Sequence, residues 1–242
     1  MPSFDIVGDV AIIKFREDLD IDTLATHILS QHKNVKNVAV DYGVEGETRV
    51  RRLQLIRGSR TETVYREYGI RLKVDVAKVY FSPRLATERW RVVESVKDGE
   101  IIYDMFAGCG PFSILIAKNR DVKIYAGDIN PHAIEYLKEN IKLNKVQNVF
   151  PLLGDARKVW KEIPEKVSRV IMNLPHNSYE FIDVAKSVLQ DGGLINYYEI
   201  LPKDYPLNSR FEDESIKILE VHRVHEYSPS KTLFSFTLLF EP

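Results

Sequence analysis

The chain has 242 residues, of which 44% are apolar and 29% charged, with a formal net charge of −1; this is ordinary for a globular protein built as one large domain or as a core domain with a smaller one attached. No apolar run reaches the ~18 residues that a membrane span needs, and Met1-Pro-Ser-Phe-Asp5 begins nothing like a signal peptide, so a cytoplasmic location without a membrane partner is expected. Cys109 is the one cysteine, which excludes an intrachain disulfide and a cysteine-rich zinc site; no metal centre is expected.

In chain order, Phe4–Phe15 reads as two short strands about Gly8-Asp9, and Asp20–Ser30 as an amphipathic helix that Asp20 can cap. Val35–Tyr42 is a strand and Gly43–Gly46 a turn. Arg49–Arg57 and Thr61–Tyr68, joined at Gly58-Ser59, read as an antiparallel meander, giving a small α+β domain over residues 1–75. Residues 76–97 form a connector in which Pro83 separates an apolar stretch from a helix over Leu85–Val96. No Gly/Ser-rich linker separates the two halves, so they should pack as one unit.

Residues 98–242 alternate strand and helix, which predicts a parallel sheet with crossover helices at Pro111–Lys118, Pro131–Leu143, Ala156–Glu162 and Ser178–Leu189. The fifth strand is Gly192–Ile200. The last two β-rich runs, Ile218–Tyr227 and Thr232–Phe240, lie too close together for a parallel crossover and must form a hairpin. The charge is uneven along this plan. Residues 1–48 hold 4 basic and 9 acidic side chains, residues 49–97 hold 13 and 5, and residues 98–242 hold 17 and 21. The arginine-rich middle block suits contact with phosphate and bases.

The organising stretch is Ile101–Gly110, where a strand ends in Asp104, passes through Gly108 and Gly110, and enters a helix at Pro111. There is no Gly-Lys-Ser/Thr and no GxGxxG, which argues against a P-loop and lowers the dinucleotide reading. Three more strands end in Asp128, Asp155 and Asn173. Ligands of open α/β sheets sit outside the carboxyl ends of the strands, and an acid after the second strand is placed for two ribose hydroxyls. The order Asp-x-Phe-x-Gly-x-Gly, acidic strand end, Gly154-Asp-Ala156 and Asn173-x-Pro175 resembles the S-adenosylmethionine-dependent methyltransferases of the Rossmann-like class. That resemblance implies S-adenosyl-L-methionine as cofactor and a sheet with an antiparallel last strand.

Methyl transfer to a ring nitrogen of a base needs a proton acceptor, a cation for developing negative charge and an extruded base against an aromatic wall. Glu88, Arg49 and Tyr80-Phe81 supply these types ahead of the glycine turn. Gly46-Glu-Thr-Arg49, Val79-Tyr-Phe81, Arg84-Leu-Ala-Thr-Glu-Arg89, Asp104–Phe112 and Asn173-Leu-Pro175 together resemble the archaeal and eukaryotic tRNA guanine N1-methyltransferases. The resemblance runs from about Phe4 to the end and implies action on the guanine just 3′ of the anticodon, tRNA position 37. It differs in starting at what looks like that family's second domain, without the additional N-terminal domain that many members carry.

By that resemblance Glu88 accepts the N1 proton, Arg49 lies near O6, and Tyr80 positions the base or cofactor. Arg89, Asp128 with Ile129, Asp155 with Ala156, and Asn173 hold the cofactor, together with Asp104, Phe106 and Gly108 of the glycine turn. Asn173 also belongs with the catalytic group. The expected partner is the tRNA anticodon stem-loop, and the expected state a monomer. Plainer roles stand beside these: a helix ion pair of Glu88 with Arg89, and phosphate contact for Arg49. Rival reactions are the wybutosine-pathway transfer of the aminocarboxypropyl arm, for which the short start speaks and against which Asn173 speaks, and a dual methyltransferase that also acts on a tricyclic guanosine derivative. An adenine amino-methyltransferase is disfavoured because His176 replaces its stacking aromatic, and a non-catalytic RNA-binding protein because neither the strand-end acids nor Glu88 is lost.

Overall fold

The computed structural model describes residues 4–46, 48 and 50–242. Strands β1 (Phe4–Val7) and β2 (Val10–Lys14) form a tight antiparallel hairpin. Helix α1 (Ile21–Gln31) starts at Asp20, whose carboxylate accepts the Thr23 N–H at 3.1 Å, and it buries Leu24, Ala25 and Ile28. It crosses to β3 (Asn37–Glu45), which runs parallel to β2, while β4 (Val50–Arg57) closes the sheet antiparallel to β3.

The expected meander through residues 49–68 does not form. Strands β5 (Glu62–Glu67) and β6 (Ile70–Asp75) make a separate two-stranded hairpin. The cause is local. Buried Asn37 accepts the N–H groups of Ser59 and Arg60 on Oδ1, at 3.1 and 3.3 Å, and turns the chain out of the sheet. Gly58 makes this possible, with φ at +89° and its α-carbon pressed so close that a Cβ would lie 2.2 Å from Asn37 Oδ1.

After a 3₁₀ turn at Pro83–Leu85 come α2 (Ala86–Ser95) and β7 (Ile101–Asp104), then α3 (Pro111–Asn119) and β8 (Lys123–Asp128). Next are α4 (Pro131–Asn144), β9 (Val149–Leu153), α5 (Ala156–Val159) and β10 (Val167–Met172). The chain ends with α6 (Ile182–Val188), β11 (Leu189–Pro202), β12 (Ile216–Glu226) and β13 (Lys231–Phe240). The two shorter helices differ from expectation by tightening: 3₁₀ turns occupy Trp160–Glu162 and Ser178–Phe181.

The seven strands lie in the order β12-β13-β11-β10-β7-β8-β9. Strand β13 is antiparallel to both neighbours, and the central pairs are parallel, as the Rossmann-like reading requires. Strand order reverses between β7 and β10, which makes their carboxyl ends the topological switch point. No helix among the described residues is long and apolar enough to cross a membrane.

The two halves share one core, in which Val7, Ile12, Leu72, Ile102 and Ile114 belong to a single buried cluster. The β5–β6 hairpin joins them: Thr63 and Asp9 bind it to the β1–β2 turn, and its backbone is bound to α4. Asn140 accepts the Lys73 N–H at 2.7 Å and donates to the Lys73 and Cys109 carbonyls, and Asn144 accepts the Arg71 N–H at 2.9 Å and donates to the Arg71 carbonyl. Both asparagines are buried, at i and i+4 on one helix face. Asn140→Ala leaves the buried Cys109 carbonyl and the part-buried Lys73 N–H and carbonyl without these partners, at ~1–3 kcal/mol for a fully buried group. Hydrogen exchange at the Lys73 amide should therefore accelerate far more than at the central amides of β10; equal protection in variant and wild type would show that α4 does not hold the hairpin.

Candidate functional site

The strand ends converge as a ring of acceptors. Asp104, the last residue of β7, is buried, and its Oδ2 accepts the Ser113 hydroxyl at 2.7 Å while Oδ1 has no partner. Burial pushes its carboxyl up to about 7, with the neighbouring Asp128 carboxylate adding to the rise and the Ser113 hydroxyl offsetting it. Asp128 ends β8. One oxygen accepts the Gly108 N–H at 2.7 Å and the other the Asn130 N–H at 2.8 Å, leaving a further lone pair on each. Burial raises its pKa, and these amides hold the rise back. Ile129 beside it is 40% exposed, an apolar surface next to a carboxylate.

Asp155 caps α5 by accepting the Arg157 N–H at 2.9 Å, and Ala156 is buried behind it. Asn173 follows β10 with its Oδ1 buried and without a donor. Phe106 stands edge-on to Phe181, with ring centroids 5.0 Å apart. Cys109, in the glycine turn, is fully buried, and burial pushes its thiol up to about 12. A helix start at Gly110 completes the cradle. Its positive φ of +90° and the 2.4 Å that a Cβ would leave to Leu137 allow glycine alone there.

The connector supplies the other wall. Tyr80 is 46% exposed, with the Arg51 guanidinium over its ring at 5.0 Å. Its carbonyl abuts Gly108, and the carbonyl of Lys78 accepts the Asn130 amide at 2.8 Å. Arg51 reaches from β4 to donate to the Phe81 carbonyl at 3.3 Å and to Asp41 at 2.8 Å. Arg49, expected near the base, lies outside the described residues.

Glu88 and Arg89 part company. As adjacent residues on a helix they do not face each other. Arg89 is 1% exposed and forks onto Glu67 at 2.7 and 2.6 Å, also donating to the Ser82 carbonyl at 3.2 Å. Glu88 is buried and forks instead with Arg91, whose Nη2 and Nε donate to Oε1 and Oε2 at 2.7 and 2.8 Å. Tyr198 of β11 adds a hydroxyl to Oε1 at 2.8 Å. Burial and the Glu88 carboxylate raise the Tyr198 phenol well above its ordinary pKa, so it stays a donor. Arg91 and Tyr198 went unrecognised in the sequence. The i,i+3 spacing of Glu88 and Arg91 was a signal for the first; nothing local announced the second.

The arginine-rich block is largely matched to acids once the chain folds. Arg51, Arg52, Arg57, Arg60 and Arg84 pair with Asp41, Glu45, Asp22, Asp9 and Asp5. Lys73, Lys78, Arg89 and Arg91 pair with other carboxylates. Arg66, Arg71 and Lys97 are exposed and carry no ion pair among the described residues.

Comparison with known proteins places this arrangement. The family profile described as the TRM5/TYW2 methyltransferase domain matches residues 63–224, and that of the TYW2 N-terminal domain matches residues 1–61. A tRNA (guanine(37)-N(1))-methyltransferase Trm5b from Pyrococcus abyssi is 53% identical over 214 residues, 87% of this chain and 63% of the relative. The chain thus spans less than two thirds of that relative's length. A tRNA(Phe) (4-demethylwyosine(37)-C(7)) aminocarboxypropyltransferase from Methanocaldococcus jannaschii is 36% identical over 233 residues, covering 92% of each chain. Among solved structures, the complex of aTrm5 and tRNALeu superposes with a TM-score of 0.88 at 41% identity, over 99% of this chain and 72% of that one. With one profile spanning most of its length, the chain belongs to the TRM5/TYW2 methyltransferase family.

Proposed function

We propose that the chain methylates N1 of guanine at tRNA position 37 with S-adenosylmethionine as donor. The observation that carries this reading is Asn173, whose buried Oδ1 lacks a hydrogen-bond donor at the end of β10. A buried acceptor is normally satisfied, so this oxygen calls for a donor that a ligand brings. The similarity to the P. abyssi methyltransferase points the same way, at 53% identity against 36% for the aminocarboxypropyl transferase.

The acceptor ring fits the cofactor. Asp104 Oδ1 and Asn173 Oδ1 lack donors, and Asp128 has lone pairs to spare; an ammonium group and two vicinal ribose hydroxyls are donors. When bound, the cofactor supplies an electrophilic methyl on a sulfonium sulfur. Asp128 would hold the ribose hydroxyls, and Ile129, Asp155 and Ala156 would hold the adenine. Phe106 and Gly108 form the floor of the turn, and Arg89 acts from behind by fixing the Ser82 carbonyl.

Glu88 would take the N1 proton, leaving the electron pair on nitrogen for the new N–methyl bond as the donor's S–methyl bond breaks, its electron pair staying on the departing neutral thioether. Its two oxygens are not equivalent. Oε1 already accepts from both Arg91 and Tyr198, whereas Oε2 accepts from Arg91 alone, so Oε2 is the oxygen with room for the proton. Tyr80 lines the base, and Arg49 neutralises the charge that develops on O6. The partner is the tRNA anticodon stem-loop, met by a protein monomer in the cytoplasm.

A second reading is aminocarboxypropyl transfer, favoured by the match of residues 1–61 to the TYW2 N-terminal domain; a dual enzyme that also methylates a tricyclic guanosine derivative is a variant of the first. One experiment separates them. Calorimetry with S-adenosylmethionine, followed by mass analysis of nucleosides from a treated guanine-37 transcript, should show the gain of a methyl group. A gain of the larger arm would replace the proposal with its rival.

Asp128→Ala should weaken cofactor binding about tenfold or more, because charged hydrogen bonds of this kind are worth ~1.5–3 kcal/mol. An unchanged dissociation constant by calorimetry would remove Asp128 from the site. Glu88→Gln should slow single-turnover transfer by ~10²–10⁴-fold, the usual cost of losing a general base, with tRNA and cofactor affinities nearly intact. Higher pH should restore part of the rate by ionising N1 directly. A wild-type rate in that variant would leave Glu88 as no more than the partner of Arg91 and Tyr198.

A further inference from the structure

The mouth of the site carries a feature that these roles leave unused. Tyr227 follows β12 at the tip of the last hairpin and is 51% exposed. Its N–H and that of Ser228 both donate to the Lys231 carbonyl at 3.0 Å, which fixes the tip. The His176 ring, from the loop after β10, meets Tyr227 edge to face, with centroids 5.5 Å apart and planes at 75°. His176 is the third residue after Asn173. Its turn is closed by Asn177 and Ser178 N–H groups on the Leu174 carbonyl, both at 2.9 Å, and by the Ser178 hydroxyl on the Met172 carbonyl at 2.9 Å. The Ile200 N–H holds the Pro175 carbonyl at 3.1 Å. The turn that carries His176 is thereby held by its own backbone bonds, directly after Asn173.

The hairpin also faces the connector. His225, two residues before Tyr227, feels the charges of Arg84 and Asp5, and Asp5 binds Arg84 and lies 3.9 Å from Arg51, the residue on the Tyr80 ring. Exposed Arg223 and Lys231 give the same hairpin a positive flank. A rigid, half-open aromatic pair beside cations, at the rim of a site that takes one base out of its stack, has a clear physical use. Extruding a base leaves its loop neighbours with bare faces. An aromatic ring can cover such a face whatever the base, because every base has a π-face.

We infer that the Tyr227–His176 pair is a stacking platform for the nucleotide adjacent to the target guanine. The inference rests on the proposed reaction. It makes Tyr227 a positioning residue for the RNA with no part in the chemistry.

The test is a double-mutant cycle between protein and RNA. Single-turnover kcat/KM is measured for wild type, Tyr227→Ala and Tyr227→Phe on a guanine-37 transcript, and on transcripts made abasic at the nucleotide 5′ or 3′ of the target. Tyr227→Ala should lose about tenfold to a hundredfold on the intact transcript, the range that base–aromatic stacking supports, and Tyr227→Phe should stay close to wild type. On one of the two abasic transcripts the loss from Tyr227→Ala should vanish, because the partner ring is already gone. The platform is overturned if Tyr227→Ala costs nothing, or costs the same on all three transcripts. Failure of the wild-type protein to methylate the intact transcript overturns the proposed reaction itself, and the platform with it.

Discussion

The connector wall of the candidate site depends on a buried fork, the two hydrogen bonds between Arg89 and Glu67. Glu67 ends β5, and Arg89 lies one turn into α2, so the pair ties the hairpin to the helix that carries Glu88. The same guanidinium holds the Ser82 carbonyl and lies over the Phe81 ring at 5.4 Å. Arg51 grips the Phe81 carbonyl from the other side. Tyr80 is thereby fixed between two arginines that are themselves fixed by carboxylates. A buried ion pair contributes little net stability, because desolvation offsets the attraction. Its value here is positional, since neither partner can leave without stranding the other's charge.

Charge matching repeats this logic across the small sheet. The acidic excess of residues 1–48 and the basic excess of the following block meet between elements, as in Arg57 of β4 with Asp22 of α1 and Arg60 with Asp9 of the β1–β2 turn. What linear counting reads as a polyanion-binding block is in good part an internal cement. The cations that stay exposed without an ion pair among the described residues, such as Arg66 and Arg71, are the ones whose charge is not matched within the chain. Most of these surface pairs add little to stability singly; together they choose which arginines face outward.

The sheet, its antiparallel last strand and the ring of strand-end acceptors were legible in the sequence. Period, glycine turn and strand-end residues are local signals, and in this fold they fall at the carboxyl ends of the parallel strands. The hairpin and meander were not legible, because the decision lies with Asn37, whose carboxamide captures the backbone of Ser59 and Arg60 from over twenty residues away. The partner of Glu88 was half-legible, since helix geometry forbids Arg89 and favours Arg91. Tyr198 stands 110 residues from Glu88 along the chain, and no pattern in one sequence joins them.

Cys109 turns the glycine turn into its own reporter. The thiol is fully buried, the Cys109 carbonyl is held by Asn140 of α4, and burial keeps the thiol protonated at neutral pH. Thiolate is the reactive form, so the sulfur does not attack disulfide reagents while the turn is closed. Labelling of the one sulfhydryl in the chain thus proceeds through opening of the cradle, and its rate is a clock for the motion that ligands of the adjoining acids would slow.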